Sequence, residues 1–298
     1  MPKKCLLLFA QSSVEKGLAD PVALTKLLNA TEKDMEAVWA YFDDLIYSIS
    51  NDQVDIFDTR NDCSIRDYTV VYLRYWGAQE GHGIGVARIC NLLGIPFIDR
   101  EALRLGSHNK ITQYVNLYEA KVPIPKTLIA HGAVLTQQYA QYGFTFPLII
   151  KDKGGTRGER NYLVKSHDEL LRVIDAHPEI TFVLQEFVPN DGDYRVWVVG
   201  DEVKLVIHRQ APHDSHLNNT SKGGKAQIVP LTELPPHVLQ DCVHASAFFG
   251  RQIAGVDILR RTNSQEYYCL EVNRSPQAEG ASFEKEKAEI LAEYLASL

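Results

Sequence analysis

Short apolar runs recur along the first hundred residues, at 3–10 (KKCLLLFA), 54–58 (VDIFD), 69–75 (TVVYLRY) and 95–98 (IPFI), each of a length that suits a buried strand. Apolar residues at helical spacing predict helices between them, at 32–47 and 84–93. Strands alternating with helices imply a parallel sheet covered on both faces. Near 100–106 the pattern changes. There SHNKITQYVNLYEAK begins a new helix that ends before VPIPKT.

The next stretch reads as a strand FPLIIK (146–151), a glycine-rich turn DKGGTRGE, a strand NYLVK, a helix opened by the capping box Ser166-x-x-Glu169, and a strand TFVLQEFV. After it YRVWVV-GDE-VKLVIHRQ reads as a hairpin turning at Gly200-Asp201. A polar loop at 212–225, a helix around 236–249, the strands GVDILR and YYCLEVN, and an amphipathic helix at 284–297 complete the chain. The expected class is α/β with α+β lobes, divided as 1–104, 105–189 and 190–298.

Composition narrows the function classes. Apolar residues make up 45% and charged residues 23%, values ordinary for a globular protein, and no apolar run approaches the roughly 20 residues of a membrane span. The N-terminal run is too short for a secretory signal, so the expected compartment is the cytoplasm. Five scattered cysteines without a Cys-x-x-Cys pair argue against a disulfide framework and a structural zinc site. A net charge of −7 without a basic block disfavours nucleic acid and anionic membranes as partners.

Three segments could carry chemistry. Lys151, at a strand end before Gly154, Gly155 and Gly158, could reach polyphosphate while backbone N–H groups approach it, although a plain surface turn explains the segment equally well. In QEFVPNDGD (185–193), a strand left unpaired beside a cleft could offer its backbone to a purine edge and a carboxylate to ribose hydroxyls; a solvated acidic turn is the alternative. In EYYCLEVNRSPQAEG, Glu271 and Asn273 lie two apart on a strand and so share a face. With Asp257 of VDIL, they make a set of hard oxygen donors suited to Mg²⁺. The glycine cluster GHGIG at 81–85 lacks dinucleotide spacing, and no zinc-hydrolase or serine-esterase motif occurs. His208, His213 and His216 flank the polar loop, where solvated histidines are common.

The order of these segments, with Asp193-x-Arg195, HRQA, VDIL and LEVN-x-SP-x-x-EG, resembles the ATP-grasp superfamily over roughly residues 70–283, and within it the RimK-like carboxylate–amine ligases. The resemblance implies an ATP-grasp fold preceded by an N-terminal parallel-sheet domain. It implies that Lys110 and Lys151 contact ATP phosphates under a loop containing Gly155 and Gly158, that Gln185, Glu186, Phe187 and Val188 hold adenine, and that Asp193 takes the ribose. Asp257, Glu271 and Asn273 would bind one or two Mg²⁺, with Mn²⁺ as a substitute, and Asn219 matches a nucleotide-side asparagine. Arg195 and Arg209 match positions near the phosphates and the reacting carboxylate, while Arg74 resembles an N-lobe arginine facing the substrate.

The activity so implied is phosphorylation of a carboxylate by ATP to an acyl phosphate, then attack by an amine to give an amide, ADP and phosphate. Positioning two reactants lowers such a barrier by about 7–11 kcal/mol, and no side-chain nucleophile is needed. Partners would be small-molecule or peptide carboxylates and amines, with a homo-oligomer left open. A ligase of the glutathione-synthetase or peptide-modifying kind, or a nucleotide-binding module without turnover, are the alternatives. Arg160 and Gln277 replace glycines of the family pattern, and Arg274 replaces a small residue; Arg274 is expected either to read a substrate carboxylate or to be a surface arginine on a turn.

Overall fold

The computed structural model describes residues 2–104, 109–154, 160–211 and 224–298. Its first part contains, in chain order, β1 (Lys3–Phe9), α1 (Gln11–Glu15), α2 (Pro21–Asn29), β2 (Met35–Tyr41), β3 (Leu45–Ile49), β4 (Val54–Asp58), β5 (Cys63–Ser64), β6 (Val70–Arg74), α3 (Glu80–Leu93) and β7 (Phe97–Ile98). A parallel sheet forms in the order β2-β1-β6-β7, as the alternation of strands and helices predicts. Both of its faces are buried. Cys5, Leu7 and Phe9 of β1 enter one core while Leu6 and Leu8 enter another.

Two expectations for this part fail. Residues 32–47 are not a helix: Met35–Tyr41 pairs with β1 over seven positions, and Leu45–Ile49 starts a hairpin. Because β2 is covered on both faces, its apolar residues run together as MEAVWAY and the period of two is hidden. The crossover helix is instead α2, where the Asp20 side chain caps the Ala23 N–H and Pro21 supplies the first helical residue. Residues 54–58 are a strand, but in a separate antiparallel sheet, β3-β4-β5, because the short turn after β3 can only reverse the chain.

The middle of the chain holds α4 (Lys110–Glu119), β8 (Thr127–His131), α5 (Gly132–Gln138), β9 (Leu148–Asp152), β10 (Asn161–Val164), α6 (His167–Asp175) and β11 (Thr181–Glu186). An antiparallel sheet, β10-β9-β11-β8, buries Leu148, Ile150, Phe182 and Leu184 against α5 and α6. Its other face carries Lys151, Val183 and Gln185.

The last part holds β12 (Asp193–Val199), β13 (Glu202–Gln210), β14 (Lys225–Val229), α7 (Pro236–Phe249), β15 (Ile253–Arg260), β16 (Tyr267–Arg274) and α8 (Glu284–Ser297). These strands form an antiparallel sheet in the order β14-β13-β12-β15-β16, with the predicted hairpin turn at Gly200 in the left-handed region. One face, with Tyr194, Val196, Val256 and Val272, packs on α7. Apolar residues of the other face, Trp197, Val199 and Ile253, share a core with Leu7, Tyr72 and α8 residues Leu291 and Leu295. The first and last parts of the chain are therefore joined through one apolar core.

An ion pair ties them further. Arg251, buried after α7, donates from Nε and Nη2 to the Glu101 carboxylate at 2.7 and 2.6 Å, and its Nη1 donates to the Val272 carbonyl. Removing Arg251 takes away the closest cation of the buried Glu101 carboxylate and leaves it undercompensated by the more distant Arg274, a loss of about 3–5 kcal/mol. Arg251→Met is expected to lower the urea unfolding midpoint by that much free energy without changing the slope of the transition.

Candidate active site

Strand register assembles the charged residues. Asp257 on β15 stands opposite Arg195 of β12 on one side and Glu271 of β16 on the other, and Gly255 stands opposite Asn273. Facing residues of an antiparallel pair share a face, so the two β16 side chains join that of Asp257. A bulge between Asp257 and Ile258 makes this compatible with the core behind. It lets Cys269 and Val272, three apart, both face inward, which an unbroken period of two forbids.

Asp257 is the centre of a buried ionic network. Arg195 donates to it from Nε at 2.5 Å and Nη2 at 2.9 Å, Arg209 from Nη2 at 2.9 Å, and Asn273 from Nδ2 at 3.2 Å. Arg209 also donates from Nε to Asp193 at 2.6 Å. Burial alone would raise the Asp257 pKa, but Arg195 and Arg209 outweigh it and hold the carboxylate below its usual range. Asp193 moves the other way: burial and the neighbouring Asp257 raise it despite Arg209. Gly255 is required beside this network, because a Cβ there would come within 2.9 Å of Arg195 Cδ and 3.0 Å of Pro276.

Across from it, β9 supplies Lys151. Its ammonium lies 5.7 Å from the Tyr114 ring centroid, and burial pushes its pKa down to about 8 although Glu271 and Asp257 partly offset that. Gln185 donates to the Tyr114 hydroxyl at 3.2 Å and to Thr127 Oγ1 at 2.8 Å, which fixes the end of β11. Lys110 opens α4 one turn before Tyr114, its helix capped by Asn109. Pairing of β11 with β9 stops at Glu186, whose carboxylate accepts from the Lys126 N–H at 2.9 Å and faces Arg261 at 3.5 Å. Phe187 and the buried Val188 follow after the strand has ended, in irregular backbone.

Lys151, Gln185, Asp193, Arg195, Arg209, Asp257, Glu271 and Asn273 thus line one region between the middle and last sheets. Gly155, Gly158 and Asn219 lie outside the described residues, as do His213 and His216. His208 stacks on Tyr194 with ring centroids 4.7 Å apart, on the face away from Arg209. Arg274 also stands apart: its guanidinium lies 4.5 Å from the Trp76 ring and 3.6 Å from Glu101, toward the N-terminal sheet. Arg74 is buried at the end of β6, 3.4 Å from Glu279. The glycines of 81–85 lie within α3, where Gly83 packs on Trp76.

Among the described residues no three His, Cys, Asp or Glu side chains converge as a metal cluster, so a cation site here depends on Asn273 completing the pair Asp257 and Glu271. That donor set fits a hard divalent ion in kind, two carboxylates and an amide on adjacent strands. The arginines hold both oxygens of Asp257, whereas among the described residues no hydrogen bond holds the Glu271 carboxylate. Sequence reasoning missed Tyr114 and Thr127, which position Gln185, and Gly255, whose spacing two residues before Asp257 was the available signal.

Residues 107–298 match the family model described as the RimK-like ATP-grasp domain. A probable alpha-L-glutamate ligase of Sodalis glossinidius is 30% identical over 220 residues, covering 72% of this chain and 73% of the relative. One from Vibrio atlanticus is 28% identical over 264 residues, covering 82% and 86%. The ATP-grasp ligase PsnB, solved with precursor peptide and AMPPNP, superposes with a TM-score of 0.71 at 17% identity over 98% of this chain and 97% of that one. The macrocyclase MdnC of Microcystis aeruginosa, bound to its precursor peptide, gives 0.68 at 14% over 99% and 100%. At these identities the solved structures share the fold.

Lys151 has its own signature in stability. Its pKa is near 8 when folded and about 10.5 when unfolded, so the charge penalty is complete below pH 8 and is relieved as pH rises to 10.5. Lys151→Met is expected to be more stable than the native chain at pH 7, with the difference shrinking toward pH 10.5 in urea titrations.

Proposed function

The chain belongs to the RimK-like ATP-grasp family and is by that membership an ATP-dependent carbon–nitrogen ligase, and from this premise we propose that it joins a substrate carboxylate to an amine through an acyl phosphate. The observation that supports this most is the placement of Asp257: two arginines and two further oxygen-bearing side chains surround one carboxylate on a single sheet face, with a lysine of the middle sheet across from it.

Lys110 and Lys151 would bind the ATP phosphates together with the glycine loop containing Gly155 and Gly158. The backbone of Gln185 to Val188 would receive adenine where the β11 ladder ends, Asp193 would take the ribose, and Asn219 would approach from the loop. Asp257, Glu271 and Asn273 would hold Mg²⁺, which supplies charge neutralisation to the transferring phosphoryl group. Burial opposes the charge of Arg209, but the Asp257 and Asp193 carboxylates raise its pKa, and with Arg195 it lies beside that carboxylate cluster, where both can stabilise charge on the phosphoryl oxygens and the tetrahedral oxyanion. Arg74 would face the substrate. The acid is one that an amino-acid-adding enzyme would use, since the curated relatives are named glutamate ligases.

Purified protein with Mg²⁺-ATP and pools of amino acids and short peptides should release ADP in step with a new amide of the summed mass less water. Asp257→Asn and Glu271→Gln should each cut that rate by about 100-fold or more with the circular-dichroism spectrum unchanged; a near-normal rate in either variant refutes the assignment. Lys151 loses its charge as pH rises through about 8, so AMPPNP affinity is expected to fall above that pH and to hold steady in Lys151→Arg. Calorimetry across pH 7–9.5 measures it.

A further inference from the structure

The strand that carries Glu271 and Asn273 is the last of its sheet, so a ladder holds it on one side only. Off its open edge the Val272 N–H donates to Gln113 Oε1 of α4 at 3.4 Å, and the Val272 carbonyl accepts from Arg251 Nη1. Two residues on, the Arg274 guanidinium lies 4.5 Å from the Trp76 ring and 3.6 Å from Glu101. Asn273 sits between these two attachments. It donates from Nδ2 to the Gly255 carbonyl and to Asp257, both at 3.2 Å, which leaves Oδ1 as the atom able to ligate a cation.

Both attachments lead to Glu101. Its fully buried carboxylate takes Arg251 on both oxygens and faces Arg274 with one. The turn that presents it is pinned to the end of α7. There the Glu101 N–H donates to the Gly250 carbonyl and the Arg100 N–H to Gln252 Oε1, each at 2.9 Å, while Gln252 Nε2 donates to the Phe97 carbonyl at 3.3 Å. Trp76 is equally fixed: its Nε1 donates to the buried Asp99 at 2.9 Å, and a Cβ on Gly83 would come within 2.8 Å of its side chain, so α3 approaches this closely only with glycine there. Two buried carboxylates and two arginines thus meet at one junction, where their charges balance, and the proposed reaction gives Glu101 no part.

We propose that Glu101 is a positioning residue for the cation: through Arg251 and Arg274 it holds both flanks of Asn273, and so the amide oxygen beside Asp257 and Glu271. A carboxylate of the N-terminal part thereby sets a ligand carried by the last sheet. Groups behind a metal's ligands fix the orientation of those ligands, and here they replace the second ladder that an edge strand lacks. This deepens the ligase reading and rests on its assignment of Asp257, Glu271 and Asn273.

The test is calorimetry of AMPPNP binding with Mg²⁺ and in EDTA, because the ratio of the two dissociation constants reports the cation apart from any turnover. In the native protein Mg²⁺ should tighten binding, and Asn273→Ala should shrink the ratio. Glu101→Gln should shrink it about tenfold, the usual loss when a group behind a metal's ligands is removed, and leave the EDTA constant within about twofold of native. In the Asn273→Ala background the same change should cost less than about twofold, since its route to the cation is gone. Arg274→Met breaks only the longer contact and should shrink the ratio about threefold, again only with Asn273 present; it decides the matter should Glu101→Gln fail to fold. A lowered unfolding midpoint with a native ratio would make Glu101 structural only, and equal losses in both backgrounds would mean that it acts elsewhere; either overturns this role alone. A native ratio of one, or one that Asn273→Ala leaves unchanged, overturns the cation assignment and this role with it.

Discussion

A carboxylate buried under a sheet must be held by cations, and Asp257 is held by two. Desolvating an ion costs several kcal/mol unless its partners are close and well oriented. Arg195 meets that demand with a two-pronged contact from the next strand, and Arg209 reaches across β12 while also binding Asp193. These contacts need β13, β12, β15 and β16 in one register, since a slip of one residue would turn the charges into the apolar core. Sheet geometry, the bulge in β16 and the bare Cα of Gly255 all answer to that requirement.

Much of this was legible in the sequence because the strands carrying it are regular. Glu271 and Asn273 lie two apart, and Asp257 interrupts an apolar run, so face and chemistry follow from spacing. The pairing of Arg195 and Arg209 onto Asp257 was not legible from spacing, because it depends on the order of strands in space. Residues 32–47 misled for a different reason: a strand covered on both faces has no polar stripe to betray its period. The burial of Lys287 in α8 lay hidden in the charged run FEKEK. Yet it falls on the stripe of Ala288, Leu291, Ala292 and Leu295, whereas Lys285 is exposed, so helical periodicity held the signal.

The cores divide the labour. The β9–β11 region has a core of its own, drawn from residues 135–184, while its opposite face presents Lys151 and Gln185 and sends Val183 into the core of the last sheet. The N-terminal and C-terminal sheets instead share one, with Trp197 and Tyr72 in the same cluster. A lobe joined to its neighbour by few core residues can shift more readily than one that shares a whole core. Sheets that share a core cannot part without breaking its apolar contacts.

The shared core also bears on how the protein is made. Met35, Ala37, Leu7 and Tyr72 are covered by α2 on the sheet and by Ala288, Leu291 and Leu295 from the far end of the chain, where Lys3 also donates to the Ala296 carbonyl at 2.6 Å. During synthesis the first sheet emerges some two hundred residues before α8. Until that helix leaves the ribosome, the part of this apolar face that α2 does not cover is unsheltered, and chaperones would act on that interval.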